Sequence, residues 1–191
     1  VTAWRMLINK AEIKPGEDIL ILGIGGGVST AVLQIVKAIG LRAFVTSSSD
    51  DKLQQARKLG ADAMINYKTQ DFAREVRSLT NRRGVDVVVD SVGGDSYAKS
   101  LATLVKGGRL VTCGATAGPR PQTDLARIFW NQLSVFGSTM GNLREFAEML
   151  NFVRKRGVRP VIDQVFPLVD GVKAFARMEE GKQFGKIVLK V

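Results

Sequence analysis

The stretch that most constrains the fold is Asp18 to Ile39, DILILGIGGGVSTAVLQIVKAI. Ile19 to Leu22 are continuously apolar, the pattern of a strand buried on both faces of a parallel sheet. Gly23, Gly25, Gly26 and Gly27 follow, and Val28 to Ile39 reads as a helix with Gly40 at its C-terminal cap. Strand, glycine turn and helix in that order aim free N–H groups and the positive end of a helix dipole at one point, which suits a phosphate. The literal G-x-G-x-x-G fingerprint is absent. In its place the chain carries Gly23-x-x-Gly26-x-x-Ser29, and Ser29 is small enough for the position where helix approaches strand. The stretch predicts a dinucleotide-binding turn built from Gly25, Gly26, Gly27 and Val28. On these residues alone, the glycine-rich turn of another α/β protein, such as a methyltransferase holding an adenosyl group, stays open as an alternative.

The rest of the chain repeats the strand-helix rhythm. Strands are expected at Ala43–Thr46, Met64–Asn66, Val85–Val89, Arg109–Thr112 (entered through a Gly107-Gly108 turn) and Leu133–Gly137. Helices are expected from Ser49 to Leu59, Gln70 to Leu79, Asp95 to Leu104, Thr123 to Trp130 and Leu143 to Arg154. Six alternations predict an α/β fold, a doubly wound parallel six-stranded sheet (Rossmann fold) with its cleft between the first and fourth strands. A helix is also expected at Thr2–Ala11, from Trp4, Leu7 and Ile8. Beyond Pro160 the rhythm stops, and Val161–Pro167, Asp170–Glu180 and Lys186–Val191 read as a strand-helix-strand tail. The expected division is residues 1–160 as the dinucleotide-binding domain and 161–191 as a C-terminal tail.

Composition narrows the function. The 191 residues contain no histidine and a single cysteine, Cys113. That removes the usual imidazole base, a disulfide framework and the ordinary zinc ligand sets. Cys113 ends a strand and is expected in the core. The net charge of +10 is spread over most helices without interleaved aromatics, so no nucleic acid partner is expected. No apolar run approaches the roughly 20 residues of a membrane span, and no signal peptide is read, so the expected compartment is cytoplasmic. The chain opens inside an amphipathic helix, as expected for part of a longer protein.

Five stretches carry a resemblance: Gly25-Gly26-Gly27-Val28; Lys58-Leu59-Gly60-Ala61-Asp62 running to Ile65-Asn66-Tyr67; Gly84-Val85-Asp86-Val87-Val88-Val89-Asp90-Ser91-Val92-Gly93-Gly94; Gly107-Gly108-Arg109-Leu110-Val111; and Phe184-Gly185-Lys186-Ile187-Val188-Leu189. In this order the chain resembles the cofactor-binding half of the medium-chain dehydrogenase/reductase superfamily, nearest its zinc-independent quinone oxidoreductase and enoyl reductase branches. The resemblance implies an NAD(P)-dependent oxidoreductase whose substrate domain, and with it the small-molecule substrate, lies outside this chain. It implies a tail that completes that domain and a homodimer paired through the sixth strand. No catalytic residue can be named within the chain, which alone should bind cofactor and turn over little.

The resemblance also distributes roles. NAD-specific members place an acid at the end of the second strand, where this chain has Ser47 followed by Ser48. Members using NADP hold its 2′-phosphate with a lysine and a tyrosine at the positions of Lys52 and Tyr67. NADP is therefore the expected cofactor and NAD the second choice, while helix capping by the serines is the plain alternative. Ser91, Val92 and Gly93 are expected beside the adenosine, and Gly114, Ala115, Thr116, Phe136, Gly137 and Ser138 near the nicotinamide. The competing functions are a zinc alcohol dehydrogenase cofactor domain, with its ligands elsewhere, and a non-catalytic nucleotide-binding module.

Overall fold

The computed structural model describes residues 1–191. Six parallel strands form its centre: β1 (Asp18–Ile21), β2 (Arg42–Ser47), β3 (Ala63–Asn66), β4 (Val85–Asp90), β5 (Leu104–Thr112) and β6 (Ser134–Gly137). Their order is β3-β2-β1-β4-β5-β6. Because β1 pairs with both β2 and β4, the winding reverses there and the loops after β1 and β4 part, opening a crevice at the C-terminal ends. Every residue of β1 and β4 is buried, as their apolar runs require.

Alternate residues of one strand feed opposite cores. Ile19, Ile21, Val87 and Val89 join Val32, Leu33 and Val36 of α2 (Gly27–Ile39), whereas Leu20, Val88 and Leu110 join Phe72 and Val76 of α4 (Phe72–Leu79) and Leu101 of α5 (Ser96–Thr103). The remaining sheet helices are α3 (Asp50–Lys58), α6 (Leu125–Trp130) and α7 (Leu143–Arg156). The doubly wound six-stranded sheet is thus present with helices on both faces.

Two expectations are revised, and the strand-helix-strand tail is present. The opening helix is α1 (Thr2–Trp4) followed by a π-helical turn, Arg5–Lys10, in which Ala11 N–H donates to the Met6 carbonyl at 2.9 Å. The wider turn brings Met6, Leu7 and Ala11 together into the core. The fifth strand starts five residues early. The register jumps from Val85↔Leu104 to Val87↔Arg109, so Gly107 and Gly108 sit in a bulge inside β5 rather than in a turn before it. The tail forms its own sheet: β7 (Ile162–Pro167) and β8 (Lys186–Lys190) pair in parallel across α8 (Gly171–Glu179). Asp163 of β7 accepts two hydrogen bonds from Arg177 of α8 and one from the Phe184 N–H. The Arg177 bonds hold the Asp163 carboxyl below its ordinary range. No helix is long and apolar enough to cross a membrane.

Candidate functional site

The first turn of α2 is built without a cap. Gly26 precedes it and no side chain accepts from its amides. The first helical bond runs from Thr30 N–H to the Gly26 carbonyl at 3.0 Å, leaving the N–H groups of Gly27, Val28 and Ser29 without a helical partner. Ser49, Asp71, Asp124 and Asn142 cap α3, α4, α6 and α7, whereas α5 and α8 start without a side-chain cap, as α2 does. Ser29 does more than leave space. Its hydroxyl donates to the carbonyls of Gly23 and Gly26, both at 3.0 Å, and so ties the turn to the helix.

Two lysines and the tail close around this turn. Gly185 N–H donates to the Gly25 carbonyl at 2.8 Å. The Lys186 side chain lies over Gly27, where an added Cβ would come within 2.7 Å of its Cδ and 3.3 Å of its Nζ. Lys52 lies over Gly25, where a Cβ would meet its Cδ at 2.9 Å, and its ammonium donates to the Gly181 carbonyl. Burial lowers the Lys52 pKa, against the pull of Asp163. An uncapped helix terminus, a cradle that a side chain would fill, and two ammonium groups at its rim have the chemistry that suits an anion.

Two hollows flank the turn along the C-terminal edge of the sheet. One, of about 330 Å³, has apolar walls from Leu22, Phe72 and Val92 and a rim carrying Tyr67, Gln70, Asp95 and Lys99. The second is a cleft of about 790 Å³ beyond β4, β5 and β6, reached by Asp90, Tyr97, Cys113 and Ser138. Gly93 borders both. The glycine turn lies between the two hollows.

The residues singled out in the sequence fall as follows. Gly25, Gly26, Gly27 and Val28 make the turn. Tyr67 and Val92 line the smaller hollow, while Gly114, Ala115, Gly137 and Ser138 line the cleft. Ser47 is buried at the end of β2 and accepts from the Ser49 N–H at 3.2 Å, with Ser48 between them. Ser49 caps α3, as the plain alternative had it. Ser91 holds Thr116 through its carbonyl at 3.4 Å. Phe136 packs toward the core and does not line the cleft. Sequence reasoning missed Gln70, Asp95 and Lys99, which lie on helix flanks with no local motif. It also assigned no role to Lys186, although Lys186 stands in the closing stretch that carried the resemblance.

The sequence matches the zinc-binding dehydrogenase family over residues 27–155, more than half of the chain. The chain belongs to that family. The match bears out the resemblance to the medium-chain dehydrogenase/reductases. The chain is 38% identical to a zinc-type alcohol dehydrogenase-like protein of Leptosphaeria maculans, over all of this chain and 56% of that protein. It superposes on a crystal structure described as an NAD-dependent alcohol dehydrogenase with a TM-score of 0.92 and 39% identity, covering 100% of this chain and 55% of the other. A second similar structure is the 2-octenoyl-CoA carboxylase reductase CinF in complex with NADP and 2-octenoyl-CoA (TM-score 0.92, 26% identity, 98% and 46% covered). The chain spans about half the length of the curated relatives it matches. The zinc in the family's description finds no ligand set here. Histidine is absent, cysteine occurs once, and no three His, Cys, Asp or Glu side chains converge.

Proposed function

We propose that this zinc-binding dehydrogenase family chain binds NADP(H) in preference to NAD(H). In this reading it is the cofactor domain of an oxidoreductase acting on a quinone, enone or related carbonyl compound. The observation that carries the reading is the uncapped N-terminus of α2 facing Lys52 and Lys186. Gly27 and Val28 N–H groups bind the pyrophosphate, and Lys186 neutralises it from the tail. The adenosine enters the hollow walled by Leu22 and Val92, where Tyr67 and Lys52 reach the ribose side. Asp50 accepts from the side-chain amide of Asn66, the register partner of Ser47, at 2.8 Å, so its carboxylate is engaged within the protein. Ser47 and Ser48 themselves bring no carboxylate to a 2′-phosphate. The nicotinamide occupies the cleft at Gly114, Ala115 and Ser138, and when bound it supplies the hydride. The enoyl thioester in the CinF complex supports a conjugated carbonyl as the acceptor class.

Titration of tryptophan fluorescence with NADPH and NADH tests this. NADPH is expected to bind at least about tenfold tighter, since one charge-assisted hydrogen bond is worth roughly 1.5–3 kcal/mol. Lys52→Ala should remove most of that preference. Equal affinities, or tighter NADH, would defeat the assignment of NADP.

The same reading includes a homodimer through β6. This strand is an edge of the sheet, and Val135 on it, with Leu125, Phe129 and Trp130 on α6, is exposed. An exposed apolar edge strand invites a second copy. Light scattering is expected to give twice the chain mass at micromolar concentration, and a monomer under those conditions contradicts the pairing.

A further inference from the structure

Four carboxylates of this chain are buried: Asp18, Asp86, Asp90 and Glu145. Three face an arginine. Asp18 lies 3.4 Å from Arg42, Asp86 lies 2.7 Å from Arg83, and Glu145 pairs with Arg5. Asp90 has no cation and is completely buried. Its Oδ1 accepts from the N–H groups of Val92 (2.7 Å) and Gly93 (3.0 Å), but Oδ2 has no partner at all. An unpaired buried carboxylate is costly, and a fold usually pairs or solvates it.

Where Asp90 stands gives the vacancy a direction. It closes β4 in register with Thr112 of β5, which is in register with Gly137 of β6, so it lies on the row that floors the 790 Å³ cleft. The other charged or titratable groups at that cleft are Tyr97 of α5, Cys113 after β5 and Arg120 of the following loop. Burial raises the Asp90 pKa, against the bonds from the Gly93 and Val92 N–H groups, and burial followed by Asp90 raises those of Tyr97 and Cys113. Ser138 Oγ, in the same cleft, is the other buried oxygen there without a partner. Both unsatisfied atoms thus sit where the Proposed function puts the nicotinamide.

We infer that Asp90 is a specificity-determining residue whose unpaired carboxylate favours the oxidised, cationic nicotinamide ring over the neutral reduced ring. The inference rests on the dinucleotide reading and goes beyond it. The two forms differ by one positive charge on the ring, and a buried anion under that ring attracts only the oxidised one. Asp90→Asn keeps an oxygen for the Val92 and Gly93 N–H groups and removes the charge.

Two measurements at pH 8 decide it. First, dissociation constants of the oxidised and reduced dinucleotide are compared in wild type and Asp90→Asn. The ratio should shift about three- to tenfold against the oxidised form in the variant. A tenfold shift corresponds to about 30 mV in the potential of the bound couple. Secondly, the pH midpoint of iodoacetamide alkylation of Cys113, the sole cysteine, should fall in the variant, because burial remains but the anion that adds to it in raising the thiol is gone. An unchanged binding ratio with both forms still bound overturns the inference and leaves the dinucleotide reading standing. An unmoved thiol midpoint overturns it also, since the carboxylate would then not face the cleft as a charge. Failure of wild type to bind either form defeats the dinucleotide reading itself.

Discussion

Gly27→Asp is expected to weaken NADPH binding by at least about a hundredfold without lowering the melting temperature. The two effects have opposite electrostatic signs. An aspartate in the first turn of α2 meets the positive end of the helix dipole and stabilises the helix by roughly 0.3–1 kcal/mol. The same carboxylate takes the place of the phosphate, adds repulsion, and draws Lys186 to itself. Two charge-assisted hydrogen bonds lost, at roughly 1.5–3 kcal/mol each, exceed a factor of about 100 in affinity. Steric strain is small, because the atom a Cβ would meet is Cδ of a lysine, 2.7 Å away and free to rotate. Calorimetric titration and thermal melting on the same sample read both signs. A variant that melts as wild type and binds as wild type shows that the anion site lies elsewhere.

A variant at Gly185 should lose both stability and affinity. Gly185 has φ +101°, and an added Cβ would stand 2.4 Å from the Val161 carbonyl oxygen. That atom belongs to the backbone, so no rotamer change relieves the clash. The positive φ alone costs a non-glycine residue roughly 1–3 kcal/mol. Gly185→Ala should therefore lower the melting temperature by about 2–12 °C, at some 2–4 °C per kcal/mol for a chain of this size. The displaced segment also carries the Gly185–Gly25 hydrogen bond and Lys186 away from the glycine turn, and NADPH binding should fall about tenfold. Lys186→Ala separates the two effects: it is expected to lose the affinity and keep the stability. A Gly185→Ala protein with wild-type affinity would show that the tail does not support the site.

The sheet was legible because its signals are local. The apolar runs at Ile19–Leu22 and Val85–Val89, each followed by glycines, mark buried parallel strands wherever they occur, and six alternations leave few ways to wind them. The cleft between the first and fourth strands and the helix break at Gly40 followed. The β5 bulge was hidden because Gly107-Gly108 is also a good turn. Only the register against β4 shows the strand passing through the pair. The π-helical turn at Arg5–Lys10 was hidden because spacing of Trp4, Leu7 and Ile8 fits an ordinary helix equally well.

The candidate site was legible where one turn makes it and obscure where distant segments meet. Gly25, Gly26, Gly27 and Val28 announce themselves together. Lys186 follows them by more than 150 residues and reaches Gly27 only because β7 and β8 pair with each other and hang their connecting segment on the Gly25 carbonyl. The serine triplet shows the same divide. Ser49 caps α3 by a purely local bond, as such residues do, whereas the Asp50 bond to the Asn66 amide joins two elements and shows only in the fold. Asp90 closes a run, Val-Asp-Val-Val-Val-Asp, that contains two acids. Nothing in that run distinguishes Asp86, which pairs with Arg83, from Asp90, which pairs with nothing.

Soaking crystals of the chain with saturating NADPH examines the core of this account directly. The pyrophosphate should appear within hydrogen-bond distance of the Gly27 and Val28 amides, with the Lys186 ammonium moved onto it and the Lys52 ammonium released from the Gly181 carbonyl. Density for the dinucleotide at any other place, or a glycine turn still covered by both lysines at full saturation, would contradict it.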